Sequence, residues 1–147
     1  MGVDGTSLGG AATILSDPPL ELDAVVLESL YPTFEQAVAD RLELSAGWWA
    51  RGLTPVFTMQ LRPRLGFGTD KLQPITCIGR ISAPKLIIAG TRDRHTPLAE
   101  SRALFGAATE PKEFWAVEGA AHQDLSAFAP NEYERRVVSF LSAHLRF

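Results

Sequence analysis

Cysteine is nearly absent from this chain: Cys77 is the only one in 147 residues. That excludes an internal disulfide framework and any four-cysteine zinc site, and Cys77 reads as a small apolar residue. Long apolar runs are missing too, and none approaches the roughly 18–20 residues needed to cross a bilayer. Positive charge is in no excess. The 14 basic and 17 acidic residues leave a net charge of −3, so the electrostatic footprint for phosphate backbones is lacking and nucleic acid is not an expected partner. Met1-Gly2-Val3-Asp4-Gly5 has neither a basic nor an apolar leader region, which sets a cytoplasmic location as the expectation. No internal repeat or low-complexity tract occurs. What remains is ordinary: 46% hydrophobic and 21% charged residues, with 12 Gly and 10 Pro. That is the composition of one folded domain, neither collagen-like nor disordered.

Apolar runs and helical periodicity alternate along the chain. Ala11–Leu15 predicts a short helix ending before Asp17-Pro18-Pro19. Asp23–Glu28, Lys85–Gly90 and Glu113–Val117 are apolar runs of the kind buried on both faces of a sheet. Thr33 and Gln36 stand at capping-box spacing before a helical face of Phe34, Ala37, Val38 and Leu42. Thr96 reads as an N-cap with Pro97 at the first helical position, and that helix runs to about Gly106. Asn131 reads as the cap of a last helix, whose stripe is Tyr133, Val137, Phe140, Leu141 and Leu145. Residues 45–78 hold Trp48, Trp49, Pro55, Pro63 and Pro74 and are too long for an ordinary loop, so a cap or lid insertion is expected there. Strands alternating with helices predict an α/β fold with a parallel, doubly wound sheet.

Chemistry enters with Gly5-Thr6-Ser7-Leu8-Gly9, a G-x-S-x-G pattern. Such a pattern belongs to a sharp strand-to-helix turn that strains and exposes its serine, with flanking glycines where a Cβ would collide. A nucleophilic serine needs a base, and the base needs a carboxylate to hold its tautomer. In a parallel sheet both must emerge at the carboxyl ends of strands. Asp93 follows the run ending at Gly90, and His122 follows the run ending near Val117. The order Ser7, Asp93, His122 is the order of the hydrolase triad.

These residues carry a resemblance. The chain resembles the C-terminal half of a serine α/β-hydrolase, from the nucleophile elbow onward. Gly5–Gly10 is similar to the elbow, Leu86–Asp93 with Thr96-Pro97 to the strand and loop of the acid, and Gly119–His122 to the histidine loop. The resemblance implies Ser7 as nucleophile, His122 as general base and acid, Asp93 as orienting carboxylate, and the Leu8 N–H as one oxyanion donor. It implies a small-molecule acyl substrate, and neither cofactor nor metal. A complete member has further strands before the elbow and a second oxyanion donor on an early loop. The expectation is therefore one truncated domain over 1–147, with a partial, mostly parallel sheet flanked by helices and its N-terminal strands absent. The strand nearest Ser7 would be an exposed edge, through which a homodimer is expected.

Each reading has a plainer rival. The rival for Ser7 is a helix cap in a glycine-rich turn and that for Asp93 is a turn residue; the agreement of the three residues in type, order and location favours the triad over both. Glu28 ends a strand from which some hydrolases take their acid. His95 is too close to Asp93 along one loop to be its partner, and His144 lies in the last helix. A metal set of His95, Asp93, His122 and Asp124 has no recognised ligand spacing; Asp124 is expected to support the histidine loop by local hydrogen bonds. Gly5, Gly9 and Gly10 fit neither phosphate-binding glycine pattern. Trp48 and Trp49 are either packing residues or walls of an acyl pocket. The functional alternatives to an esterase are a catalytically inert association module and a serine peptidase with the same triad.

Overall fold

A computed structural model describes residues 1–145. Four strands, β1 (Gly2–Thr6), β2 (Ala24–Glu28), β3 (Lys85–Gly90) and β4 (Lys112–Val117), form one parallel sheet in the order β1-β2-β3-β4. Helix α1 (Leu8–Leu15) joins β1 to β2, and α6 (Leu98–Ala107) joins β3 to β4. Between β2 and β3 lie α2 (Phe34–Ala46), a 3₁₀ turn (Trp48–Leu53), and the short helices α3 (Thr54–Met59), α4 (Leu61–Leu65) and α5 (Pro74–Cys77). After β4 come α7 (Leu125–Phe128) and α8 (Pro130–His144).

Side-chain alternation along the strands splits the core in two. Val25, Leu27 and Ile87 point to one face, where they meet Ile14 of α1, Ile78, and Leu104 of α6. Ala24, Val26, Leu86 and Ile88 point to the other, where they meet Leu125 of α7 and Val137 and Phe140 of α8. The strand order follows the chain order, so α1 and α6 lie on one face and α8 covers the other. The doubly wound expectation is corrected to that extent: the order of these four strands does not reverse.

Two caps also differ from the sequence reading. The hydroxyl of Thr96 donates to the Ser29 carbonyl, Pro97 has extended backbone (φ −52°, ψ 143°), and α6 starts at Leu98. Helix α8 starts at Pro130, whose ring presets helical φ, so Asn131 lies inside the first turn and caps nothing. Thr33 behaves as expected, its hydroxyl accepting from the Gln36 N–H at 3.1 Å. Among the described residues, no helix is long and apolar enough to cross a membrane.

Candidate active site

Ser7 stands between β1 and α1 with φ 48° and ψ −113°, a conformation that costs a non-glycine residue about 1–3 kcal/mol. The turn is held on both sides. The Ser7 N–H donates to the Glu28 carbonyl at 2.8 Å, and the Ser7 carbonyl accepts from Ala11 at 3.1 Å. Close backbone packing leaves no room for side chains at two glycines. A Cβ on Gly5 would lie 2.7 Å from the Gly10 Cα, and one on Gly10 would lie 2.5 Å from the Gly5 carbonyl oxygen. Gly9, the second glycine of the sequence pattern, has nothing within 4 Å of its Cβ position. The steric reason expected for Gly9 therefore belongs to Gly10. Leu8 opens α1, where helix geometry offers its N–H no acceptor.

Asp93 is 5% exposed and its carboxylate is fully engaged. One oxygen accepts the N–H groups of His95 and Thr96, each at 2.8 Å, and the other meets His122 Nδ1 at 2.8 Å. With Nδ1–H donated to the carboxylate, Nε2 of His122 carries the free lone pair, the tautomer a general base requires. The acid and histidine loops are stitched together beneath this pair. Arg92 N–H donates to the Ala120 carbonyl, Gly119 N–H to the Thr91 hydroxyl, and Thr91 N–H to Val117. A Cβ at Gly90 would lie 2.4 Å from the Ala120 carbonyl oxygen, so that contact demands glycine.

Asp93 and His122 are thus brought together, and Ser7 lies at the same carboxyl edge of the parallel sheet. Among the described residues no hydrogen bond joins Ser7 to His122. Glu28 does not reach the histidine; its carboxylate takes the Tyr133 hydroxyl, which also lies 3.2 Å from Asp4. Burial raises the pKa of both Glu28 and Asp4, and burial beside these carboxylates raises that of Tyr133. His95 stacks obliquely on His122, ring centroids 5.1 Å apart. The His144 ring contacts Phe140 in α8. Asp124 caps α7 by accepting from Ser126 and Ala127; the Ser126 hydroxyl bond, the largest influence, lowers its pKa. No group of three metal-ligating side chains is gathered among the described residues.

A cavity of about 190 Å³ opens beside the serine, lined by Ser7, Leu8, Tyr31, Phe34, Val38 and Arg41 among others. Trp48 and Trp49 do not line it; both are exposed. Sequence reading also missed Thr96 as the tie between the acid loop and β2, and Ser29 as a second strained serine (φ 49°). The one local signal for Ser29 was its position directly after an apolar strand.

No family model matches the chain. It is 23% identical over 147 residues to the uncharacterized Bacillus subtilis protein YqkD, covering 96% of this chain and 47% of that one. Over 76 residues it is 36% identical to human alpha/beta hydrolase domain-containing protein 17B, covering 52% of this chain and 26% of that one. It therefore spans about half of the first relative and about a quarter of the second. Among solved structures, a Pyrococcus furiosus esterase superposes with a TM-score of 0.72 at 20% identity, covering 99% of this chain and 54% of that one. A monoacylglycerol lipase from Paleococcus ferrophilus gives a TM-score of 0.63 at 24% identity, covering 98% and 68%. Sheet, turn and likenesses agree that this chain carries part of the α/β-hydrolase fold.

Proposed function

We propose that the chain is a serine hydrolase acting on an ester or related acyl bond. The observation that carries this reading is the buried Asp93 carboxylate bonded to His122 at 2.8 Å, on the same sheet edge as the strained Ser7. Ser7 Oγ attacks the carbonyl carbon and its proton passes to His122 Nε2. The Leu8 N–H donates to the oxyanion. Collapse expels the alcohol, which takes the proton from His122, and leaves an acyl-enzyme on Ser7. Water, deprotonated by the same nitrogen, then releases the acid and restores the serine. The reading needs no cofactor, and the cavity beside Ser7 suits a small acyl group.

Fluorophosphonate labelling tests it. Wild type is expected to label, whereas Ser7→Ala and His122→Ala are expected to remain unlabelled while keeping the wild-type circular dichroism. Equal labelling of wild type and Ser7→Ala removes the proposal. A second reading, an inert association module, is favoured by the position of β1 at the edge of the sheet.

A further inference from the structure

The cavity beside Ser7 carries a single charge on its wall. Leu8, Tyr31, Phe34 and Val38 make it apolar and aromatic, and Arg41 is the only charged residue among the described ones that line it. Phe34, Ala37, Val38 and Arg41 recur at helical spacing, so α2 turns one face to this space. The carboxylates of α2 are committed elsewhere: Asp40 and Glu43 pair with Arg51, and Glu35 accepts the Thr69 hydroxyl. Arg41 itself donates to the Ala37 carbonyl at 3.2 Å, one turn back on its own helix. A guanidinium offers a fork of N–H donors matched to a carboxylate, and that one bond leaves most of the fork unused. Burial raises the Tyr31 pKa while the Arg41 charge pulls it down, so the cation stands within electrostatic range of the cavity's phenolic wall.

The same lining separates the two halves of an ester. Ser7 and Leu8 border the cavity, whereas Asp93, His95 and His122 do not. An alcohol leaving group takes its proton from His122 and therefore departs on the histidine side. An acyl group held on Ser7 Oγ is left the cavity side, with Arg41 on its wall.

We propose that Arg41 selects acyl groups that end in a carboxylate, so that the favoured substrates are half-esters of dicarboxylic acids. The assignment rests on Ser7 acting as the nucleophile. The test compares two esters of equal chain length, the mono-para-nitrophenyl ester of adipic acid and para-nitrophenyl hexanoate, which end in a carboxylate and a methyl group. Wild type is expected to favour the adipate in kcat/KM, with an advantage that shrinks in about 0.5 M salt. Arg41→Gln should cut the adipate-to-hexanoate ratio by about fivefold or more, chiefly through KM for the adipate, and Arg41→Glu should cut it further. Arg41 is exposed, so both variants should keep the wild-type circular dichroism. A purely structural role would slow both esters alike, and a ratio unchanged by Arg41→Gln overturns the proposal. So does an Arg41-dependent preference for the hexanoyl ester of para-hydroxybenzoate, whose anion sits on the leaving group, over phenyl hexanoate. Ser7→Ala distinguishes the two levels of failure. Wild type that turns over neither ester, or turnover that Ser7→Ala leaves intact, removes the hydrolase reading and this inference together. Ser7-dependent turnover with an unchanged ratio removes only selection by Arg41.

Discussion

At the scale of single residues, the tight turn around Ser7 depends on two glycines that face each other. The first and last glycines of the five-residue pattern are equal in the sequence, and geometry separates them. Gly5→Ala and Gly10→Ala each drive a Cβ into backbone at 2.7 Å or less, and overpacking of this kind costs about 1–3 kcal/mol. Urea unfolding should show that loss, accompanied by loss of fluorophosphonate labelling. Gly9→Ala meets nothing within 4 Å and replaces a helical glycine, so it should be neutral or stabilising by up to about 1 kcal/mol. Destabilisation by Gly9→Ala equal to that of Gly10→Ala would contradict this account of the turn. The two candidate acids separate in the same way. Asp93→Asn places an amide against His122 Nδ1 and selects the wrong tautomer, with an expected fall of about 10⁴-fold in turnover. Glu28→Gln keeps an acceptor for Tyr133 and should leave ester turnover nearly unchanged. The turn at Ser7 was legible from its glycine pattern, and the positions of Asp93 and His122 from the apolar runs that they follow. The partner of Glu28 was not, because Tyr133 lies 105 residues away and no local pattern joins them.

At the scale of elements, α2 and α6 meet through two buried carboxyl groups. Glu100, in the first turn of α6, contacts Asp40 of α2, and burial together with Asp40 pushes its pKa up from 4.5 to about 8. Gln36 and Arg51 face the same pair and pull the other way. A proton held by Glu100 supplies the donor that two carboxylates lack. Because the folded pKa lies above the unfolded value, folded protein binds more protons than unfolded protein between pH 4.5 and about 8. This contribution to stability is complete below pH 4.5 and disappears as pH rises through about 8. Glu100→Gln supplies a permanent donor, so urea midpoints measured from pH 5 to 9 should fall less steeply for the variant than for wild type. Parallel slopes would show that Glu100 is ionised in the folded state throughout. The pair was illegible in the sequence, as Asp40 and Glu100 look like ordinary charges on two helices. β2, β3 and β4 were legible as apolar runs, whereas Gly2–Thr6 has one apolar side chain and becomes a strand by pairing with β2. Helix starts at Thr96 and Asn131 failed for a related reason: a long-range bond to Ser29 and the proline before Asn131 outweighed local capping preference.

At the scale of the whole molecule, the sheet has two edges, and they are unequally guarded. β4 presents Lys112 and Glu113, and Lys112 reaches the carbonyls of Phe105 and Ala108 in the α6 region. β1 carries only Asp4 among charged residues. In a parallel ladder each residue turns its N–H and C=O to one side. The Met1 carbonyl and Ser7 N–H turn toward β2, so Val3 and Gly5 do as well, and Gly2, Asp4 and Thr6 turn their backbone groups outward. An edge of this kind is a template for a second strand, and a twofold axis beside β1 would pair it with its own copy. Light scattering across a concentration series should therefore show 16.0 kDa at the dilute end rising toward twice that mass. Asp4→Pro removes the central outward N–H without cutting the ladder to β2 and should hold the chain at the monomer mass. Trp48→Ala/Trp49→Ala should leave the dimer intact, because both exposed tryptophans lie on the 3₁₀ turn and not on β1. A single 16.0 kDa species at every concentration would remove the edge as an association surface, and with it the reading of this chain as an association module. A dimer that survives Asp4→Pro would place the contact elsewhere on the molecule.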